Sequence, residues 1–206
     1  MIYLLLVVCT CASIDLSCYG RNGFAVNVTM DYQRERRVAE WGAATFQGIT
    51  IGKSSSLDLK RKWGKPDSTG NWDWDDPEKP KYLLHHYRMQ ERYQADVTVE
   101  IETKTDKIIA ISMSPDKMTL EQAVKIFGKD YVKTRYAFCD CDLGDGSPIY
   151  ELPEVGSLLY IEYRKRGIAM AVNDLGMITT IQFVNKPIGL KYISECWKIP
   201  GCKPGK

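Results

Sequence analysis

The amino-acid sequence predicts an α+β protein made of two tandem units, each with a short helical segment packed on an antiparallel β-meander. Three features recur in the same order and support this prediction. A capped helical stretch ends at a glycine, a long polar loop follows, and apolar residues then alternate as they do in half-buried strands. The two units are expected at residues 48–113 and 114–184, and a Pro/Gly/Cys tail is expected at residues 185–206.

Residues 1–13 are predicted to be a signal peptide. The run from Met1 to Ala12 is apolar and uncharged, about half as long as a membrane span, and followed by small residues suited to cleavage. This predicts a secreted, periplasmic or cell-surface protein without a stable membrane span. The alternative is a buried N-terminal strand, because an apolar run of this length also suits a core element.

Residues 14–47 form a predicted N-terminal extension that contains a helix. Asp31 is a suitable cap for a helix over residues 32–46, on which Val38, Trp41 and Thr45 share one face. Asn27 begins an Asn-Val-Thr glycosylation acceptor, which has meaning only in an exported eukaryotic protein.

The first unit begins with a helix capped by Ser54 or Ser55. This helix runs to Trp63, Gly64 suits the position just past its end, and Pro66 prevents continuation. Strand patterns follow at residues 97–101 and 107–111.

The second unit repeats this order. Thr119 and Gln122 form a capping-box pattern, and Gly128 ends the helix. Strands are expected at residues 159–163, 168–172 and 178–184. Their alternation predicts one apolar face that carries the helices and one open face toward solvent or a partner. The residues expected on the open face are Tyr160, Glu162, Arg164, Thr180 and Gln182.

The arrangement Ile49-x-x-Gly52-x-Ser54, a short helix, Trp63-Gly64-x-Pro66 and a strand meander resembles the tandem repeats of the β-lactamase-inhibitor-protein-like superfamily. It also looks like the single repeat of outer-membrane assembly lipoproteins of the small-protein-A type. The resemblance covers residues 48–184. It implies helices packed on an antiparallel sheet whose concave surface and loops bind another protein. This chain departs from that pattern in having one clear helix per unit, long acidic loops and no lipobox.

Two long polar loops, residues 67–80 and 138–156, are the predicted contact loops. The first carries Trp72 and Trp74 beside Asp75 and Asp76. Exposed tryptophans are favoured anchors at protein interfaces, although a loop folded back on its own core explains them equally well. The second loop partly imitates a calcium-binding loop but has Asp145 where the turn needs glycine, so solvated turns are favoured over a cation site.

Removal of the leader leaves five cysteines: Cys18, Cys139, Cys141, Cys196 and Cys202. Disulfides are expected in an oxidising compartment, with Cys196–Cys202 and Cys18 to Cys139 or Cys141 among the possible pairs. Zinc is disfavoured because the cysteine spacings do not match common zinc-binding motifs.

No cofactor is expected, and three observations exclude other classes of function. The net charge of +2 does not indicate nucleic acid, the Gly-Lys-Ser at residues 52–54 lacks phosphate-loop spacing, and the sequence contains no catalytic motif. The sequence therefore predicts an exported protein-binding module: an inhibitor, an assembly factor or an envelope-associated interaction protein. The alternative is a small carbohydrate-binding protein or hydrolase that uses the loop tryptophans and carboxylates.

Overall fold

The computed structural model describes residues 18–19, 25–26, 41–71, 80–89, 94–141, 147–199 and 201–203. The chain divides into two compact units, Met1–Val38 and Ala39–Lys206. In the first unit, the described part is an antiparallel pair of strands, β1 (Cys18–Tyr19) and β2 (Ala25–Val26). The predicted signal peptide and Asn27 lie outside the described residues.

The second unit is described from Trp41 onward. Its elements in chain order are β3 (Thr45–Phe46), β4 (Ile49–Thr50), α1 (Ser56–Trp63), β5 (Ser68–Asn71), β6 (Tyr82–Met89), β7 (Ala95–Glu102), β8 (Lys107–Pro115), α2 (Leu120–Phe127), β9 (Val132–Phe138), β10 (Asp140–Cys141), β11 (Ile149–Glu151), β12 (Leu158–Tyr163), β13 (Ile168–Val172), β14 (Ile178–Phe183) and β15 (Cys202–Lys203). Two 3₁₀ helices lie at Arg164–Arg166 and Ile193–Lys198. The predicted helix over residues 32–46 is wrong for its described end, where residues 41–44 are irregular and β3 is extended.

The predicted α+β fold of two helix-on-meander units is wrong. The protein is mostly β, and nine strands form one continuous antiparallel sheet in the order β11-β9-β12-β13-β14-β8-β7-β6-β5. The junction is the pairing of β14 with β8, where Gln182 lies opposite Ser112. The strands of both predicted units therefore share one sheet and one core instead of forming two separate layers.

Within this sheet the two sides have matching topology. We call α1 with β5–β8 the first half and α2 with β9–β14 the second half. Each half ends in a strand at the centre of the sheet. In the first half β7, β6 and β5 lie successively outward from β8, and in the second half β13, β12 and β9 lie successively outward from β14, with β11 at the edge beyond β9. A β-bulge interrupts β7–β8 between Glu100 and Ile101, and another interrupts β13–β14 between Ala171 and Val172. The two halves thus share the same strand order outward from the Ser112–Gln182 pair as far as β5 and β9.

The helix ends confirm the local predictions. The Ser55 hydroxyl accepts from the backbone N–H of Asp58, the Thr119 hydroxyl accepts from that of Gln122, and both capping boxes are complete. Gly64 and Gly128 follow the helices with φ of +83° and +94°, a region in which a side chain would be strained. Both caps also form an isolated bridge near the start of the last strand of their half, Ser55 to Lys107 in β8 and Thr119 to Met177 just before β14.

Both helices lie on the apolar face of the sheet, as the strand alternation predicts. The side chains directed to this face join Leu59 of α1 and Phe127 of α2 in one buried cluster. Its strand members include Ile101, Ile111, Met113, Ile161, Met170, Ile181 and Phe183. The opposite face carries mostly polar or small side chains, and we call it the polar face.

The segment after β14 crosses the polar face of the second half and reaches the β11 edge. A Cβ atom at Gly189 would lie 2.5 Å from Cε1 of Tyr136, so only glycine allows this approach. Leu190 then pairs beside β11, donating its N–H to the Ile149 carbonyl at 2.7 Å and accepting from Glu151 at 2.9 Å. The predicted tail, residues 185–206, is therefore folded onto the sheet through its described part.

Candidate functional site

A buried carboxylate lies at the centre of the polar face in the second half. Glu162 on β12 is 0% exposed. The Tyr136 hydroxyl donates to its Oε1 at 2.5 Å, while the Thr134 hydroxyl and Arg164 Nε donate to its Oε2 at 2.8 Å each. Burying a charge is unfavourable unless it is paired and hydrogen-bonded, and three donors meet that need here.

Arg164 extends this network to the edge of the sheet. Its Nη2 donates to Thr134 at 3.1 Å and to Oε1 of Glu151 on β11 at 3.3 Å. Burial raises the pKa of Glu151 above its usual value, and the nearby Arg164 opposes that rise. The pKa of Tyr136 is also raised, first by burial and then by the charge of Glu162. We call Thr134, Tyr136, Glu151, Glu162 and Arg164 the polar network.

The structure tests the predicted open face. Strand pairing places Tyr160 and Glu162 together on the face opposite the helices, as expected. The expectation that this face is open is wrong at Glu162, because the side chain is buried and every donor around it belongs to the protein. Arg164 is mostly buried in the same network, and Tyr160 stacks edge-on against Tyr136 at 5.4 Å. A partner-binding role for Tyr160 stays a prediction.

The other predicted contact residues are Trp72, Trp74, Asp75 and Asp76. All four lie outside the described residues.

Among the described residues of the first half, the polar face carries more exposed contacts: Arg88 on β6 pairs with Asp96 at 2.8 Å and with Asp116 at 2.6 Å. His86 Nδ1 lies 3.1 Å from Thr98 Oγ1 across β6 and β7. Glu100, which shares this face with Thr98, makes no hydrogen bond to any part of the chain that the structure describes, and burial raises its pKa. His85 lies on the opposite side of β6 from His86, as the sequence predicts.

Two disulfides fasten the tail to the second half. Cys139 bonds to Cys196, and Cys141 bonds to Cys202. Four of the five candidate cysteines are therefore paired, but the Cys196–Cys202 pairing is not formed, and Cys139 and Cys141 are not partners of Cys18. These disulfides indicate an oxidising, extracytoplasmic environment.

The fastened segment presents large apolar side chains to solvent. Trp197 is 64% exposed and Tyr192 is 53% exposed, with Ile193 between them in sequence. We call Tyr192, Ile193 and Trp197 the tail surface. Cys196 is completely buried beneath it, against Tyr150 and Leu152. The Glu195 carboxylate accepts from the backbone N–H of Lys191 at 2.9 Å and holds the first turn.

Sequence reasoning missed the tail surface. The segment was interpreted only as a Pro/Gly/Cys tail. The signal in the sequence was the presence of Tyr192, Ile193 and Trp197 close to Cys196. A disulfide at this cysteine restrains the residues next to it as well.

Comparisons with known proteins leave the family open. No protein-family model matches the sequence, and no curated protein is significantly similar to it. Among solved structures, the DUF4309-family protein YjgB from Bacillus subtilis is similar, with a TM-score of 0.39 and 14% identity over 70% of this chain and 88% of that one. At this level the similarity carries no argument about function. The resemblance to β-lactamase-inhibitor-like repeats stays a prediction.

Within the described ranges, no group of three or more His, Cys, Asp and Glu side chains is arranged to hold a metal ion. None of the helices described here is long and apolar enough to cross a membrane.

Proposed function

We propose that the protein is an extracytoplasmic protein-binding module, secreted, periplasmic or at the cell surface, and that the tail surface contacts its partner. The observation that carries the proposal is the exposure of Tyr192, Ile193 and Trp197 on a segment held by two disulfides. Exposed apolar side chains that lie close together are typical of interaction sites, whereas single exposed ones need no explanation.

Rigidity supports the same proposal. Association is weakened by the entropy lost when mobile side chains and loops become ordered. In the tail surface that ordering is already present, since Cys196 is bonded to Cys139 and Leu190 is paired with β11. Tryptophan and tyrosine in such fixed positions are typical binding hot spots.

The polar network supports binding indirectly. Arg164 joins Glu162 in the middle of the sheet to Glu151 at the edge, and Leu190 pairs with the same edge strand. The network thereby positions β11, on which the tail is seated. Its carboxylates are engaged inside the protein, which favours a structural role over the hydrolase alternative.

The test is a comparative capture with oxidised full-length protein. Wild type, the double variant Tyr192→Ala/Trp197→Ala and the control Val155→Ala/Leu175→Ala are each incubated with extracytoplasmic extract from the source organism. The control removes apolar side chains elsewhere that are more exposed, Val155 being 77% and Leu175 86% exposed.

A specific partner should be retained by wild type and control and lost by the tail variant. With that partner purified, the dissociation constant should rise at least about thirtyfold in the tail variant, the effect of removing one hot spot of about 2 kcal/mol. Equal affinity of the tail variant and wild type would contradict the proposal.

A further inference from the structure

The two helices occupy equivalent places in the two halves but differ in their exposed residues. Alignment by their caps and terminal glycines places Leu57, Lys60 and Lys62 of α1 opposite Glu121, Val124 and Ile126 of α2. Ile126 packs partly against the core. The corresponding positions of α1 carry lysines instead, so structural demand alone does not explain them.

Positive charge is concentrated around α1. Residues 53–65 contain Lys53, Lys60, Arg61, Lys62 and Lys65 against a single acid, Asp58, whereas the formal net charge of the whole chain is +2. Lys107 belongs to the same group, because its ammonium donates a hydrogen bond to the Lys53 carbonyl at 2.9 Å. We call these six cations, with Leu57, the α1 basic surface. The equivalent residues 117–129 contain three lysines and one acid.

Most of these cations have no carboxylate partner among the described residues. Asp58 is committed to the helix cap and to Arg61, which lies 2.7 Å away. Lys62 donates to the Gly48 carbonyl. Lys60 and Lys65 are exposed and make no hydrogen bond or ion pair within the part of the chain that the structure describes.

An apolar side chain stands among these cations. Leu57 is 68% exposed and lies on the same side of α1 as Lys60 and Arg61, three and four residues later. Lysine side chains are attracted to the anionic headgroups of a lipid bilayer. A neighbouring leucine lowers the free energy of binding further when it enters the apolar boundary beneath those headgroups. A soluble polyanion would use the cations but not the leucine.

We infer that the α1 basic surface docks on an anionic lipid bilayer. This inference goes beyond the proposed protein binding and uses a different surface. Attraction to the headgroups brings α1 to the membrane, and Leu57 inserts at the interface. The attraction weakens with salt because the charges are exposed.

The experiment measures partition of the oxidised full-length protein onto vesicles. Vesicles of phosphatidylcholine with phosphatidylglycerol are compared with pure phosphatidylcholine by co-sedimentation at several salt concentrations. Wild type should bind the anionic vesicles, more weakly as salt rises, and should not bind the neutral ones. Equal binding to both, or to neither, would overturn the inference.

Matched variants locate the contact. Lys60→Gln/Lys65→Gln should lower the partition coefficient about thirtyfold, since each cation at an anionic surface contributes about 1 kcal/mol. A charge-matched change in the other half, Lys125→Gln/Lys129→Gln, removes the same charge and should have a much smaller effect. Equal losses would show that only net charge matters and would refute a specific surface.

A second variant separates a bilayer from a soluble polyanion. Leu57→Gln keeps the charge and should lower vesicle binding several-fold, while Leu175→Gln should not. If Leu57→Gln binds vesicles as wild type does, the leucine does not insert and the bilayer assignment fails. Thermal unfolding of every variant confirms that the protein remains folded.

Discussion

The polar faces of the two halves differ in how their polar groups are satisfied. In the second half, Glu162 is buried, has three donors and lies beneath the returning tail. In the first half, the bulge positions place Thr98 and Glu100 where the second half has Ala169 and Ala171, and Glu100 has no hydrogen bond to any described residue. The same strand arrangement thus serves two purposes. In the second half two disulfides hold the tail against the sheet, and among the described residues of the first half no disulfide does the same.

Removal of a disulfide should have the largest effect on this difference. Cys139→Ser/Cys196→Ser leaves Cys141–Cys202 to close nearly the same loop, so loop entropy accounts for about 2.5 kcal/mol. The two serine hydroxyls buried in place of the sulfurs bring the loss in the free energy of unfolding to about 4 kcal/mol. Urea unfolding of the oxidised protein measures it. The more exposed pair, Cys141→Ser/Cys202→Ser, is the comparison. A loss below about 1 kcal/mol for the first pair would mean that the tail is held without it.

Loss of the arginine in the polar network should rank second. Arg164→Met leaves the buried Glu162 without its cation and should lower the free energy of unfolding by about 3 kcal/mol. The double variant Arg164→Met/Glu162→Gln should recover part of this loss. His86→Gln is the control in the first half, where a loss of under about 1 kcal/mol is expected. Equal losses in both halves would contradict the comparison.

The helix caps test how similar the halves are. Ser55→Ala and Thr119→Ala each remove one complete capping box, and each should lower the free energy of unfolding by about 1 kcal/mol. A difference much larger than this value would show that one helix carries more of the fold.

The smallest effect is a pH dependence from Glu100. Because burial raises its pKa in the folded protein, the folded state binds the proton more tightly than the unfolded chain does. Wild-type stability from this group is therefore present at low pH and lost as pH rises through the folded pKa. Glu100→Gln should be more stable than wild type by about 0.5 kcal/mol at neutral pH and equal to it near pH 4. Thermal unfolding across pH, with the exposed Glu154→Gln as control, measures this; a constant difference would exclude the explanation.

Local signals in the sequence predict the local structure well. The caps at Ser55 and Thr119 and the glycines at 64 and 128 involve neighbours within one turn, so their residue types suffice. The alternation of β12 likewise places Glu162 on the correct face. The pairing of β8 with β14 joins distant segments whose contact no local pattern encodes, and for that reason one sheet was mistaken for two units.

The same limit applies to the site. Glu162 was expected in solvent because nothing near it in sequence indicates that the segment around Gly189 crosses above Tyr136. The disulfide pairs also join segments that meet only through the fold. The disulfide pairs hold the tail surface in place. The sequence therefore shows which residues form this surface but does not predict that it is rigid.

We expect the two disulfides to hold the tail on the second half and thereby to present the tail surface to a partner. Hydrogen exchange under native conditions, measured by mass spectrometry before and after reduction of the disulfides, tests it most directly. Reduction should speed exchange in β9, in β11 and in residues 189–203, while β6 and β7 stay protected. Unchanged exchange in the tail, or an equal increase in both halves, would contradict the account.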